Sequence, residues 1–158
     1  MTVEAIENIL QARNMILNIT DGVSEEKMFL IPKGFNNNMY WNLGHVSATL
    51  ALLTYKLSGL PIPLDEQFIL SFGKGSSPSS WADKSKIPTI AELKQILKEL
   101  PVQIKIDLQE KQFSNFKPYQ TSAGINLQNI NEALNFVFFH DGLHIGYILA
   151  QKRVLFNG

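Results

Sequence analysis

The 158-residue chain sets 14 basic against 14 acidic residues, holds three His and has no Cys. Without Cys there is no disulfide framework, thiolate zinc site, iron–sulfur cluster or cysteine nucleophile, so any metal chemistry must run on imidazoles and carboxylates. Zero net charge, with a densest basic stretch of only Lys84 and Lys86, argues against a nucleic-acid partner, and the length suits one domain, 1–158, that buries its own core.

The first predicted helix covers about 3–19, where Ile6, Ile9, Leu10, Arg13, Ile16 and Leu17 share one face. Asp21 and Gly22 stop it, Gly supplying the positive φ of a C-cap. Residues 24–33 read as a connector with one short turn starting at Ser24. An Asn in the run Asn36, Asn37, Asn38 caps the next helix. That second long helix is expected over 39–58, with Trp41, His45, Ala48, Leu52 and Tyr55 on one stripe, ended by Gly59 and Pro61. It is apolar enough to be mostly buried.

Residues 60–88 then read as a long irregular connection rich in Pro, Gly and Ser. A lid or a dimer contact would explain it, but the preferred reading is the crossover that joins parallel helices of a bundle. Trp81 implies that part of it packs down. Gly73, Lys74 and Gly75 lack the remaining spacing of a phosphate loop. The third long helix starts at a capping box, Thr89 with Glu92, and runs to about 111, with a kink expected before Pro101. The alternation of Val102, Ile104, Ile106 and Leu108 is strand-like, but no partner strand is evident, so helix is preferred. Residues 112–127 form a second connection. The fourth long helix follows a weaker capping box, Asn129 with Glu132, and reaches about 155. Phe136, Val137, Phe138 and Phe139 cover every face of it, which predicts a middle buried all round. Four long amphipathic helices with long connections define an all-α four-helix bundle. The opening residues show no secretory leader and no apolar run reaches membrane-spanning length, so a cytoplasmic protein without a membrane partner is expected.

All three His fall in the second and fourth long helices. His140 and His144 are one turn apart on one face, a spacing that lets two imidazoles hold one metal ion. Random placement of three His puts some pair four apart only roughly 4% of the time. Taken singly, His45 reads as a core imidazole satisfied by a carbonyl, and the pair is evenly balanced between ligation and packing. Taken together the three favour one metal site with open positions, because three unrelated buried imidazoles would each need separate hydrogen bonds. A zincin reading of His140, Asp141 and His144 fails, because it needs Glu as general base and a further ligand downstream. A diiron bundle needs Glu three residues before each His, and a zinc deaminase needs Cys. Gly44, Gly142 and Gly146 beside the His signal close helix approach, room for a ligand, or a packing groove between helices or subunits.

The stretch Asn36 to His45, with Trp41 four residues before His45, resembles the W-x-x-x-H motif of the DinB-like superfamily. The stretch Phe139 to Gly146, with His140, His144 and Gly146, resembles its H-x-x-x-H-x-G motif. One departure is Tyr147, where the family often has Gln. The resemblance implies an up-down-down-up bundle with a long crossover between helices 2 and 3, commonly a homodimer. It also implies that His45, His140 and His144 bind a divalent metal, nickel or zinc, and that the chemistry is thiol transfer or isomerisation with low-molecular-weight thiols. The expected function is therefore a metal-dependent enzyme, an S-transferase or hydrolase, that activates a small thiol or water. Tyr55, Tyr147 and Gln151 are candidates to support the ligands or touch substrate. The alternatives are a non-catalytic dimeric interaction protein braced by metal, and a small-ligand binder that has lost its metal.

Overall fold

A computed structural model describes residues 2–81 and 83–157 of the chain; the expected 1–158 domain includes residues 1, 82 and 158, which lie outside them. The fold is all-α, with four long helices; shorter helices, helical turns and one two-stranded hairpin fill the connections. The first helix, α1, spans Thr2–Ile19, and Gly22 behind it takes φ +66°. A short α2, Glu25–Phe29, is capped by Ser24.

Asn38 starts α3, Met39–Ala51, its Oδ1 accepting the Trp41 backbone N–H at 2.8 Å. Every residue of α3 except Thr49 is buried. The α-helix stops earlier than its apolar stripe suggests. Leu52–Lys56 forms a π turn, where backbone N–H groups reach carbonyls five residues back, as Leu57 to Leu52 and Leu60 to Tyr55 do. Such turns concentrate at functional sites.

The 60–88 connection is more ordered than its Pro, Gly and Ser content suggests. It contains a helix, α4, at Glu66–Phe72, with Asp65 Oδ1 accepting the Phe68 N–H, and two 3₁₀ turns, Pro78–Ser80 and Lys84–Lys86. Trp81 packs edge-on against Tyr40 and Phe72 and donates to the Ser71 carbonyl at 3.0 Å. Thr89 and Glu92 form the reciprocal capping box of α5, Ile90–Gln109, which stays helical through the buried Pro101. The strand-like alternation after Pro101 therefore lies on a helix.

Tyr119–Gln120 (β1) and Asn126–Leu127 (β2) pair antiparallel in the second connection, a hairpin where only loop was expected. The last helix, α6, spans Ile130–Asn157. Asn129 caps the Glu132 N–H, but the Glu132 carboxylate reaches back to Gln128 rather than to Asn129's own N–H. The expectation that the middle of α6 is buried all round is wrong. Val137 is fully buried, but Phe138 and Phe139 are 44% and 51% exposed, and Leu143 and Tyr147 are exposed as well. Its buried stripe follows helical spacing instead, through Leu134, Val137, Asp141, Ile148 and Gln151.

Cross-helix contacts fix the directions. Lys94 bonds the Thr20 carbonyl and Lys105 pairs with Glu7, so α5 runs against α1. Arg13 meets Asp141 and Lys152 meets the Ile19 carbonyl, so α6 runs with α1. Tyr40 bonds the Pro88 carbonyl and Tyr55 bonds Asp107, so α3 and α5 are parallel and need the long crossover. The order is up-down-down-up. Two apolar clusters fill the core, one around Ile6, Leu50, Leu100 and Leu134, the other around Ile16, Leu43, Phe72 and Leu97.

Candidate metal centre

The antiparallel crossing of α3 and α6 brings the three imidazoles together. Ring centroids lie 5.2 Å apart for His45 and His140, 4.8 Å for His45 and His144, and 4.5 Å for His140 and His144. One ligand nitrogen from each lies within 4.8 Å of the other two, and no carboxylate belongs to the group.

Hydrogen bonds decide which nitrogens are free. His45 Nδ1 lies 2.7 Å from the Phe72 carbonyl oxygen. A carbonyl only accepts, so this nitrogen carries the proton and the Nε2 lone pair is left as an acceptor, with only a long 3.5 Å contact to the Thr49 hydroxyl. His144 Nδ1 lies 2.6 Å from Asn42 Oδ1. Asn42 Nδ2 donates to the Asn38 carbonyl at 2.7 Å and to Gln151 Oε1 at 3.2 Å, which turns its oxygen toward His144. His144 therefore also keeps its proton on Nδ1 and presents Nε2. Metal-binding imidazoles ordinarily use their second nitrogen in this way, which fixes tautomer and ring orientation. His140 Nδ1 is buried with no hydrogen-bond partner, a condition that costs about 1–3 kcal/mol when nothing satisfies the atom. Two oriented lone pairs beside an orphaned imidazole nitrogen fit a divalent ion.

Burial, aided by neighbouring positive charge, keeps the set unprotonated. It pushes His140 down to about 3, with His45 and Arg13 adding to the effect. It pushes His144 down to about 2, with His140, His45 and Arg13 adding. His45 is lowered too, mainly by burial, although its bond to the Phe72 carbonyl works the other way. Neutral imidazoles are the form that binds a metal.

Asp141 is not the general base of a metalloprotease. Its carboxylate is fully buried and accepts from Arg13 Nε at 2.8 Å and Arg13 Nη2 at 3.0 Å. Arg13 also donates to the Val46 carbonyl, so one buried guanidinium ties α1 to the residues following both His45 and His140. Gln151 is buried and holds Asn42 from one side and Asn37 from the other, with Nε2 to Asn37 Oδ1 at 2.8 Å. It positions His144 through Asn42. Tyr147 is exposed and its ring centroid lies 6.5 Å from that of His144, beside Phe35. Tyr55 is elsewhere: its hydroxyl donates to Asp107 and its ring packs on Phe113. A stripe on a helical wheel continues past Ala51, but the π turn and the length of α3 carry Tyr55 away from the imidazoles.

Asn42, Phe72 and Arg13 are the supporting residues that helix spacing does not reveal. Gly44 belongs with them. A Cβ there would lie 2.2 Å from Phe72 Cδ1, inside a fully buried ring. Gly44→Ala is expected to cost about 1–3 kcal/mol by overpacking, and to displace the carbonyl that orients His45. Chemical denaturation together with metal titration checks both, and unchanged stability would show that Phe72 yields freely. Gly142 and Gly146 are different, since a Cβ at either meets nothing within 4 Å. Close packing inside this chain does not require them.

The centre opens two ways. A cavity of about 230 Å³ reaches His45 and His140 between the π turn, Lys74 and the β1–β2 hairpin, and is lined by Thr49, Tyr119, Thr121 and Phe136 among others. On the other side, His144 and Trp41 border a shallow groove with Phe35, Gly142, Gly146 and Tyr147. Trp41 stacks on His45 at 4.4 Å and donates to Ser76, walling the ring off on that side.

The fold and the centre define a class: an up-down-down-up helical bundle with three imidazoles between its second and last long helices. Residues 8–148 match the DinB superfamily, and the chain belongs to it. Among curated proteins, none matches the chain.

Proposed function

We propose that this protein is a divalent-metal-dependent enzyme that activates a low-molecular-weight thiol, or water, for transfer or hydrolysis. The observation that carries the reading is the ligand set: three neutral imidazoles converge, no Asp or Glu joins them among the described residues, and a cavity leads to two of them. His45, His140 and His144 would hold nickel or zinc. Such an ion, with open positions, acts as a Lewis acid that makes an anionic thiol or water available at neutral pH. Asn42, held by Gln151, and the Phe72 carbonyl keep two of the rings aimed. Arg13 occupies the carboxylate next to His140 in the chain, Asp141. A site that only braces helices would be closed by a fourth protein ligand, and the absence of one in this set favours turnover over a non-catalytic brace.

The expected result is stoichiometric nickel or zinc in protein purified without chelators or an affinity tag, identified by anomalous scattering. Transfer of a small thiol onto an activated aryl chloride should fall to background in His144→Ala. Activity that survives this substitution unchanged would sink the proposal.

The same reading includes a cytoplasmic homodimer. No helix among the described residues is long and apolar enough to cross a membrane. The outer face of α6 exposes Phe138, Phe139, Leu143, Tyr147, Leu149 and Val154 around Gly142 and Gly146, and exposed apolar groups gathered on one helix are a mark of interaction sites. A second copy is the proposed cover. Sedimentation velocity is expected to give a dimer that Leu143→Asp disrupts; a wild-type monomer at micromolar concentration would refute it.

A further inference from the structure

The cavity on the His45 and His140 side is chemically lopsided. Its lining combines the two imidazoles, the apolar side chains of Leu52, Leu53, Leu57 and Phe136, and two lysines, Lys56 and Lys74, and of these the lysines are the exposed ones. No Asp or Glu lines it. Neither lysine has an acidic partner within 4.0 Å among the described residues, although three other ion pairs form elsewhere. Cavities elsewhere that are lined by Lys98 or Lys86 also hold a carboxylate, Glu99 in one and Asp83 or Glu92 in others, so two lysines with no carboxylate set this cavity apart. They come from separate segments. The π turn brings Lys56, and the crossover just after the carbonyl that orients His45 brings Lys74. Tyr119, Thr121 and Ser122 from the hairpin region add hydroxyl groups to the same wall.

We infer that this cavity selects a substrate with an anionic group at one end, a carboxylate or phosphate held by Lys56 and Lys74, and its reacting group at the imidazole end. The inference rests on the metal-centre reading for the reacting end only. The volume of about 230 Å³ suits a short molecule with an apolar middle rather than a polymer. A charge-assisted hydrogen bond to either ammonium is stronger than a neutral one, and exposure at the rim makes the attraction sensitive to salt. Lys74 thus has a role that its Gly-Lys-Gly context alone does not suggest, since no phosphate-loop spacing surrounds it.

The test uses two probes of equal length, 6-mercaptohexanoate and 6-mercaptohexanol, titrated calorimetrically into nickel-loaded and metal-free protein. The acid is expected to bind about tenfold tighter than the alcohol in both states, the order that one charge-assisted bond supplies. The preference should shrink as salt rises. It should vanish in the Lys56→Gln, Lys74→Gln double variant, with nickel stoichiometry and far-UV circular dichroism unchanged. Equal binding of acid and alcohol, or a preference that survives in the double variant, would overturn the inference. If the protein takes up no nickel, the metal reading fails, and the metal-free titration still decides the role of the lysines.

Discussion

Arg13→Leu is expected to destabilise the protein by about 3–5 kcal/mol, the usual consequence of removing one partner of a buried ion pair. Arg13 and Asp141 are 1% and 0% exposed. Burial lowers the guanidinium's affinity for its proton, while Asp141 beside it pulls the other way. Burial likewise pushes the Asp141 carboxyl up to about 6, against the pull of Arg13. Short bidentate bonds keep the two charges together. Without Arg13, Asp141 would be an uncompensated buried carboxylate and the Val46 carbonyl would lose its donor. Arg13→Leu with Asp141→Leu should recover much of the loss, because the larger part of it is the stranded charge. Urea unfolding of the two single variants and the double variant, at constant slope, measures this directly. A single-variant loss below about 1 kcal/mol would place the pair in the class of solvated surface bridges. The position of the pair gives it a second consequence. Asp141 follows His140 and Val46 follows His45, so the same substitution should loosen metal binding even where the fold persists.

The parts of this molecule that sequence reveals are the local ones. Ser24, Asn38 and Thr89 cap helices because a side-chain oxygen and a nearby backbone N–H lie within one turn of each other. His140 and His144 share a face because four residues make about one turn. Their meeting with His45 was legible once both helices were seen to be long, apolar and joined in a bundle. Of the supporting residues only Gln151, two turns past His144 on the same helix, was legible. Arg13 and Asp141 are 128 positions apart, and Asn42 and His144 are 102 apart; no period or spacing joins them. The Phe72 carbonyl was hidden further, since backbone atoms leave no residue type to read. Its helix, α4, has seven residues, too few for periodicity to rise above the Gly and Pro around it, although Asp65 before Glu66 is a genuine start signal. The run of Phe on α6 misled for a related reason. Four consecutive apolar residues point in every direction, and only the packing partners decide that Val137 is inside while Phe138 and Phe139 are out. An exposed apolar surface is where a reading of one chain ends and a second copy begins to matter.

The metal-free protein should lose stability as pH falls below about 6.5, by roughly 2–4 kcal/mol between pH 7 and pH 5. In the unfolded chain each His takes a proton near its ordinary value. In the folded chain His140 resists until about 3, His144 until about 2, and His45 is lowered as well. Across this window the unfolded state therefore binds up to two more protons on His140 and His144, and His45 adds in the same direction. Asp141 offsets one of them, because its folded value of about 6 lies above its unfolded one. A net difference of between one and two protons corresponds to a slope of about 1.4–2.7 kcal/mol per pH unit at most, reduced where solvent reaches the rings. Urea midpoints at pH 5 and pH 7 test the sign and the size, and a flat profile would show that the imidazoles titrate normally in the fold. The same depression separates this centre from a solvent-exposed His site. At an exposed site protons compete with metal below about 6.5. Here His140 and His144 are still unprotonated at pH 5 and His45 is lowered too, so the affinity of the folded state for a divalent ion should change little between pH 7 and pH 5. Metal released in that range would then report unfolding of the bundle, not competition by protons, and release should follow the loss of helical circular dichroism.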